Sequence, residues 1–188
     1  MTKIIKHIIT VTKLARIIDT SDACRRRHSY KVERYSLLIC RRLKLPEQEI
    51  KVIKIASMLH DIGKIGIDLT IIKKPAKLTI EEWEQVKRHP EIGANIVSQL
   101  GFFGEVSDVI RHHHSRFTGG GYPDASLSGN RIPIGSRIIA VTDAFDAMIS
   151  DRPYRKAMSK EAAVKELARC SGTQFDPCIV DAFLSVNK

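Results

Sequence analysis

Residues 28–60 read HSYKVERYSLLICRRLKLPEQEIKVIKIASMLH, and their spacing sets the fold class. Val32, Tyr35, Leu38, Ile39 and Leu43 recur at the intervals of one helix face, so residues 28–43 are expected to form an amphipathic helix. Pro46 then opens a second helix, because its fixed φ suits a helix start and its missing N–H would go unused there. Ile50, Ile53, Ala56 and Leu59 supply that helix's apolar side. No stretch of the chain alternates apolar and polar residues as a half-buried strand would, and there is no internal repeat or low-complexity tract. The expected fold class is all-α, with helices packed on helices.

Working outward from this pair, Thr79 followed three residues later by Glu82 has the form of a capping box. It starts a helix carrying Trp83 and Val86 toward His89-Pro90, and Pro90 begins the next segment. Further helices are expected at about 104–114, 134–150, 159–170 and 176–186, the last with Asp176 as N-cap and Pro177 in its first turn. Thr118-Gly119-Gly120-Gly121-Tyr122-Pro123, continuing to about Pro133, is rich in residues that break regular structure and reads as a loop. At the N-terminus, Lys3, Lys6, His7, Lys13 and Arg16 interrupt Ile4, Ile5, Ile8 and Ile9. Residues 1–20 therefore read as an amphipathic helix or linker, without the unbroken apolar run of a signal peptide or membrane span.

The 188 residues, 43% hydrophobic, can bury one substantial core and do not require a second. Lys and Arg outnumber Asp and Glu by 31 to 21, a net charge of +10 that favours anionic partners. Cys24, Cys40, Cys170 and Cys178 form no C-x-x-C pair, which argues against a disulfide framework or zinc knuckle and fits a reducing cytoplasm.

Of the seven histidines, all but His7 fall in short blocks: His28, His60-Asp61, His89 and His112-His113-His114, with Asp143 further on. Neutral imidazoles and carboxylates suit divalent transition metals. Scattered histidines are individually often surface or core residues, but His60-Asp61 beside Gly63-Lys64 is hard to explain by packing alone.

His60-Asp61-Ile62-Gly63-Lys64 resembles the H-D-x-G-K motif of the HD hydrolase superfamily, and Gly121-Tyr122-Pro123 is similar to the tripeptide that names its HD-GYP branch. The resemblance continues through Lys73-Lys74-Pro75, His89-Pro90-x-x-Gly93, His113-His114, Ile132-Pro133, Asp143-x-x-Asp146, Arg152-Pro153-Tyr154-Arg155 and Ser171-Gly172-Thr173-x-Phe175-Asp176-Pro177. It implies that residues 21–188 form an HD-GYP domain, a single helical bundle with an irregular Gly-Tyr-Pro loop. It also implies that His28, His60, Asp61, His89, His113, His114 and Asp143 ligate two divalent metal ions, iron or manganese, with Asp61 as the bridge. His112 lies outside that set. Asp61 and Lys64 are the implied catalytic residues, Lys64 aiming its ammonium at the scissile phosphate. Lys64, Tyr122, Arg152 and Arg155 are the implied substrate contacts, the arginines toward phosphate and Tyr122 toward guanine or phosphate, with core packing the competing role for Tyr122. Asp146 either approaches the site or supports it as a helix-borne carboxylate.

The implied activity is hydrolysis of cyclic di-GMP to pGpG, with further cleavage to GMP left open, in cytoplasmic second-messenger signalling. A signalling protein such as a diguanylate cyclase is an implied partner, and a nucleic-acid polymer is not. Three positions depart from the family text: Ser115 stands where Glu is common, Thr118 where an Asp opens the loop, and Cys24 where three-metal members have Glu. These neutral side chains keep two other readings open, a weakly active or inactive module that binds cyclic di-GMP or a protein, and a hydrolase of another nucleotide.

Overall fold

The computed structural model of the chain describes Lys13 and residues 28–99, 104–151 and 156–186. The expected N-terminal helix or linker apart from Lys13, together with Cys24, Arg152 and Arg155, lies outside the described residues. Within them, nine α-helices follow one another: α1 (His28–Arg42), α2 (Glu47–Leu59), α3 (Leu69–Ile72), α4 (Ile80–Val86), α5 (His89–Ser98), α6 (Gly104–Arg111), α7 (Ile134–Met148), α8 (Lys160–Arg169) and α9 (Pro177–Val186). Two short 3-10 turns, Ile62–Gly66 and Gly129–Arg131, interrupt the series. No strand occurs among the described residues, only an isolated bridge between Ser171 and Phe175. The all-α expectation holds.

Local signals act where the residue types require. Lys44 adopts a positive φ of 54°, reversing the chain between α1 and Pro46, which is the N-cap of α2. At α4 the Thr79 hydroxyl accepts from the Glu82 N–H while the Glu82 carboxylate accepts from the Thr79 N–H, completing the expected box. Asp176 accepts from the Cys178 N–H at 2.8 Å, capping α9 behind Pro177.

Two apolar clusters hold the bundle. One packs Val32 of α1, Ala56, Met58 and Leu59 of α2, and Ile62 against Val97 of α5, Val109 and Ile110 of α6, and Ile139 of α7. The other gathers Ile39 and Cys40 of α1, Ile53, Phe145 of α7, Leu167 of α8, and Ile179 and Phe183 of α9. Its aromatic centre has Tyr35 edge-on to Phe145 at 5.3 Å and Phe145 to Phe183 at 4.8 Å. Helix α1 contributes to both clusters, so the first helix of the bundle also sets where His28, at its start, must sit.

One boundary differs from expectation. Helix α6 ends at Arg111 instead of continuing to about residue 114. The His113 ring takes the carbonyl of Ile110 through Nδ1 at 2.6 Å, satisfying an acceptor of the last turn from the side chain and leaving the three histidines in a turn beyond the helix.

Candidate metal centre

Three of the implied ligands are positioned by one device. His60, His89 and His113 each place Nδ1 on a backbone carbonyl three residues earlier in a helix's last turn: Ser57 at 2.8 Å in α2, Val86 at 2.7 Å in α4 and Ile110 at 2.6 Å in α6. A carbonyl only accepts, so each Nδ1 carries the proton and each Nε2 is left with a lone pair. Those carbonyls would otherwise be unmatched at a helix end, so the capping bond and the ring orientation are the same interaction. The C-terminal ends of α2, α4 and α6 converge on the rings, and their partial negative charge favours a cation there.

His28 is held differently. Its Nδ1 lies 2.7 Å from Oδ2 of Asp146 on α7, and Lys31 approaches the other oxygen of that carboxylate at 3.2 Å. Burial raises the Asp146 carboxyl, but the His28 hydrogen bond and charge and the Lys31 ammonium outweigh it and hold it below its usual range. Asp143, one turn earlier on α7, brings Oδ1 within 3.3 Å of His28 Nε2. The i, i+3 spacing of the two aspartates thus places one on each nitrogen of the same ring.

The donors form two groups, His28 with His60 and Asp143, and His89 with His113 and His114; within each group the ligand atoms lie within 4.8 Å of one another. Asp61 stands between them. Its Oδ1 is 3.5 Å from His89 Nε2, and its Oδ2 is 3.8 Å from His28 Nε2 and 3.7 Å from His60 Nε2. Each carboxylate oxygen faces one group, the placement a bridging ligand needs.

The protonation states agree with the donor set. Burial pushes the imidazoles of His60 and His113 down to about 4 and that of His89 to about 3, with the charge of Asp61 only partly opposing it. Burial and the neighbouring histidines likewise drive His114 well below its usual value. All four are neutral near pH 7, the form that can ligate a metal. Soft thiolates are absent from the cluster among the described residues, and nitrogen with carboxylate oxygen fits borderline divalent transition metals.

Close backbone approach keeps the halves in register. A Cβ on Gly63 would lie 1.9 Å from the His89 carbonyl oxygen and 2.5 Å from the Gly93 nitrogen, so only glycine lets the turn after Asp61 press against α5. Gly121 is similarly tight, a Cβ there falling 2.6 Å from the His114 carbonyl oxygen, and the Tyr122 N–H donates to that same oxygen at 3.3 Å. The Tyr122 ring accordingly lies over His114, with centroids 4.8 Å apart and planes at 32°.

All seven implied ligands therefore come together, as do Lys64 and Tyr122. Lys64 Nζ lies 2.6 Å from Asp61 Oδ2, at the shared carboxylate. His112 is outside both donor groups. The Ser115 hydroxyl is buried with no hydrogen-bond partner among the described residues, and Thr118 donates from Oγ1 to the Thr173 carbonyl, tying the Gly-rich loop to the segment before α9. Sequence reading left two roles open for Asp146, and its bond to His28 identifies it as a supporting carboxylate; Lys31 carried no sequence signal.

A model of the family described as HD domain matches residues 12–179. The cyclic di-GMP phosphodiesterase response regulator RpfG of Xanthomonas campestris is 40% identical over 177 residues, covering 93% of this chain and 47% of that protein. A cyclic di-GMP phosphodiesterase of Thermotoga maritima is 40% identical over 169 residues, 86% of this chain and 44% of that one. The chain spans just under half the length of these relatives. Among solved structures, a cyclic GMP-AMP specific phosphodiesterase of Vibrio cholerae shares the fold with a TM-score of 0.76 at 20% identity, over 95% of this chain and 48% of that one. The paired histidine groups, the aspartate between them and the Gly-Tyr-Pro loop against His114 are thus set in a recognised frame: this chain belongs to the HD domain family, in its HD-GYP branch.

Proposed function

We propose that the chain is a metal-dependent phosphodiesterase that hydrolyses cyclic di-GMP to pGpG. The observation that carries this reading is Asp61, whose two oxygens face separate groups of imidazole and carboxylate donors. The relatives at 40% identity, both named as cyclic di-GMP phosphodiesterases, support the substrate. On this reading His28, His60 and Asp143 would hold one cation and His89, His113 and His114 a second, with Asp61 placed to serve both. Two divalent ions, iron or manganese, would supply Lewis acidity to the phosphoryl oxygens and lower the pKa of an attacking water toward neutrality.

The chain's own groups then have defined tasks. Asp146 and the three helix-end carbonyls keep the ligand rings in the tautomer that carries the proton on Nδ1 and turns the Nε2 lone pair toward the cluster. Lys64, beside Asp61, is within reach of a phosphate seated there and offsets its growing negative charge. Arg152 and Arg155 hold the dinucleotide's phosphates, and Tyr122 lies against the substrate. Residues 21–188 act as the catalytic unit in the cytoplasm, with residues 1–20 as an amphipathic helix or linker and a signalling protein such as a diguanylate cyclase as partner. Among the described residues no helix is long and apolar enough to cross a membrane.

The test is turnover by protein purified without oxygen, assayed for metal content and against cyclic di-GMP, cyclic GMP-AMP and linear nucleotides. Conversion of cyclic di-GMP to pGpG, abolished by chelation, is expected. Tight binding of cyclic di-GMP with metals present and no turnover would instead mark a binding module, and faster cleavage of another nucleotide would displace the substrate assignment.

A further inference from the structure

Trp83 stands on the exposed side of α4, 45% exposed, with Ile80 one turn earlier and 77% exposed. Both leave apolar surface facing water next to the aromatic rings that adjoin the donor cluster. The helix carrying it is firmly set: the Thr79 and Glu82 capping box closes its start, Lys74 donates to both Glu82 oxygens at 2.8 and 2.7 Å, and its last turn receives the His89 ring. Trp83 meets the Tyr122 ring edge-on, with centroids 6.2 Å apart and planes at 81°. Tyr122 in turn lies over His114, and His114 beside His113 at 4.1 Å. A continuous series of rings therefore runs from the buried donor cluster out to the solvent-facing indole.

Resting on the proposed function, we infer that Trp83 is a substrate-positioning residue whose indole stacks on one nucleobase of the cyclic dinucleotide while the phosphate occupies the cluster beside Lys64. The occupant must be flat, apolar on its faces and linked to a phosphodiester, which a nucleobase is. Every base has a π face, so stacking adds affinity without choosing between bases. Trp83 thus sets how tightly a cyclic dinucleotide is held, and leaves guanine against adenine to other groups.

The chain contains one tryptophan, so its intrinsic fluorescence reports this position alone. Titrating the metal-loaded protein with a phosphorothioate analogue of cyclic di-GMP, which resists cleavage, is expected to quench that emission as the site fills. In steady-state assays Trp83→Leu should raise KM about tenfold with little change in kcat, whereas Trp83→Phe, which keeps a stacking ring, should stay within about threefold of the parent. The same ratios are expected with cyclic GMP-AMP. Equal rescue by Leu and Phe, a fall in kcat at constant KM, or emission unmoved by saturating analogue would overturn the stacking role while hydrolysis by the parent chain kept the enzymatic reading intact. A parent chain that neither binds nor cleaves any cyclic dinucleotide would overturn both.

Discussion

Asp61 and the nitrogens around it divide the labour at the scale of single residues. Because each carboxylate oxygen faces a different donor group, removing Asp61 should loosen both proposed cations, whereas removing His60 withdraws a donor from one. Asp61→Ala and His60→Ala are both expected to lose hydrolysis together with bound metal, measured by elemental analysis beside the assay; full metal content with full activity in either variant would remove that residue from the site. Asp146 acts one step back, through the proton on His28 Nδ1. Asp146→Asn leaves the fold and the first-contact donors in place but withdraws the negative charge behind the ring, and metal affinity should fall roughly 10- to 100-fold in a chelator competition. Affinity equal to the parent would mean that the His28 to Asp146 contact is only structural. The His60-Asp61 doublet and its companions could be picked out from residue type and spacing. The acceptors of the His60, His89 and His113 ring protons could not, because they are backbone carbonyls whose availability depends on where helices stop.

Elements supply those stops. The ends of α2, α4 and α6 present the Ser57, Val86 and Ile110 carbonyls to three histidine rings of the donor cluster, so moving any of the three ends moves a proposed metal ligand. Helix starts were readable in the chain because capping side chains announce them, as Thr79 with Glu82 and Asp176 with Pro177 do. The end of α6 was not: residues 104–114 keep a plausible helical composition throughout, and only the His113 ring's claim on Ile110 ends the helix early. The short α3 was also missed, since its four residues are too few for a periodic signal. Gly63 offers a test of the element-level packing. A methyl group there meets the backbone of His89 and Gly93 and cannot be relieved by rotating a side chain. Gly63→Ala should cost about 1–3 kcal/mol in urea unfolding, as overpacking does, and should also lower metal content by parting Asp61 from His89. Unchanged stability and metal content would show that the turn can shift freely against α5.

Across the whole molecule, the donor cluster joins parts of the chain far apart in sequence: His28 opens α1, Asp61 follows α2, His89 opens α5, His113 and His114 follow α6, and Asp143 lies on α7. Cations bound only by the folded arrangement stabilise it by mass action, about 2.7 kcal/mol per site at a free concentration one hundred times Kd. Chelation should therefore lower Tm, and readdition of Mn(II) should restore it in a concentration-dependent way; a Tm indifferent to chelator would mean that the cluster holds no ion under those conditions. The global class was readable from helical periodicity in residues 28–60 and the lack of alternation elsewhere, whereas the pairing of distant segments came within reach only through the resemblance of the motif series. The most direct test of the proposed two-metal centre is anomalous diffraction from crystals of the Mn(II)-loaded protein. Two peaks are expected, one contacted by His28, His60 and Asp143, the other by His89, His113 and His114, with Asp61 touching both. A single peak, or two peaks of which only one touches Asp61, would contradict it.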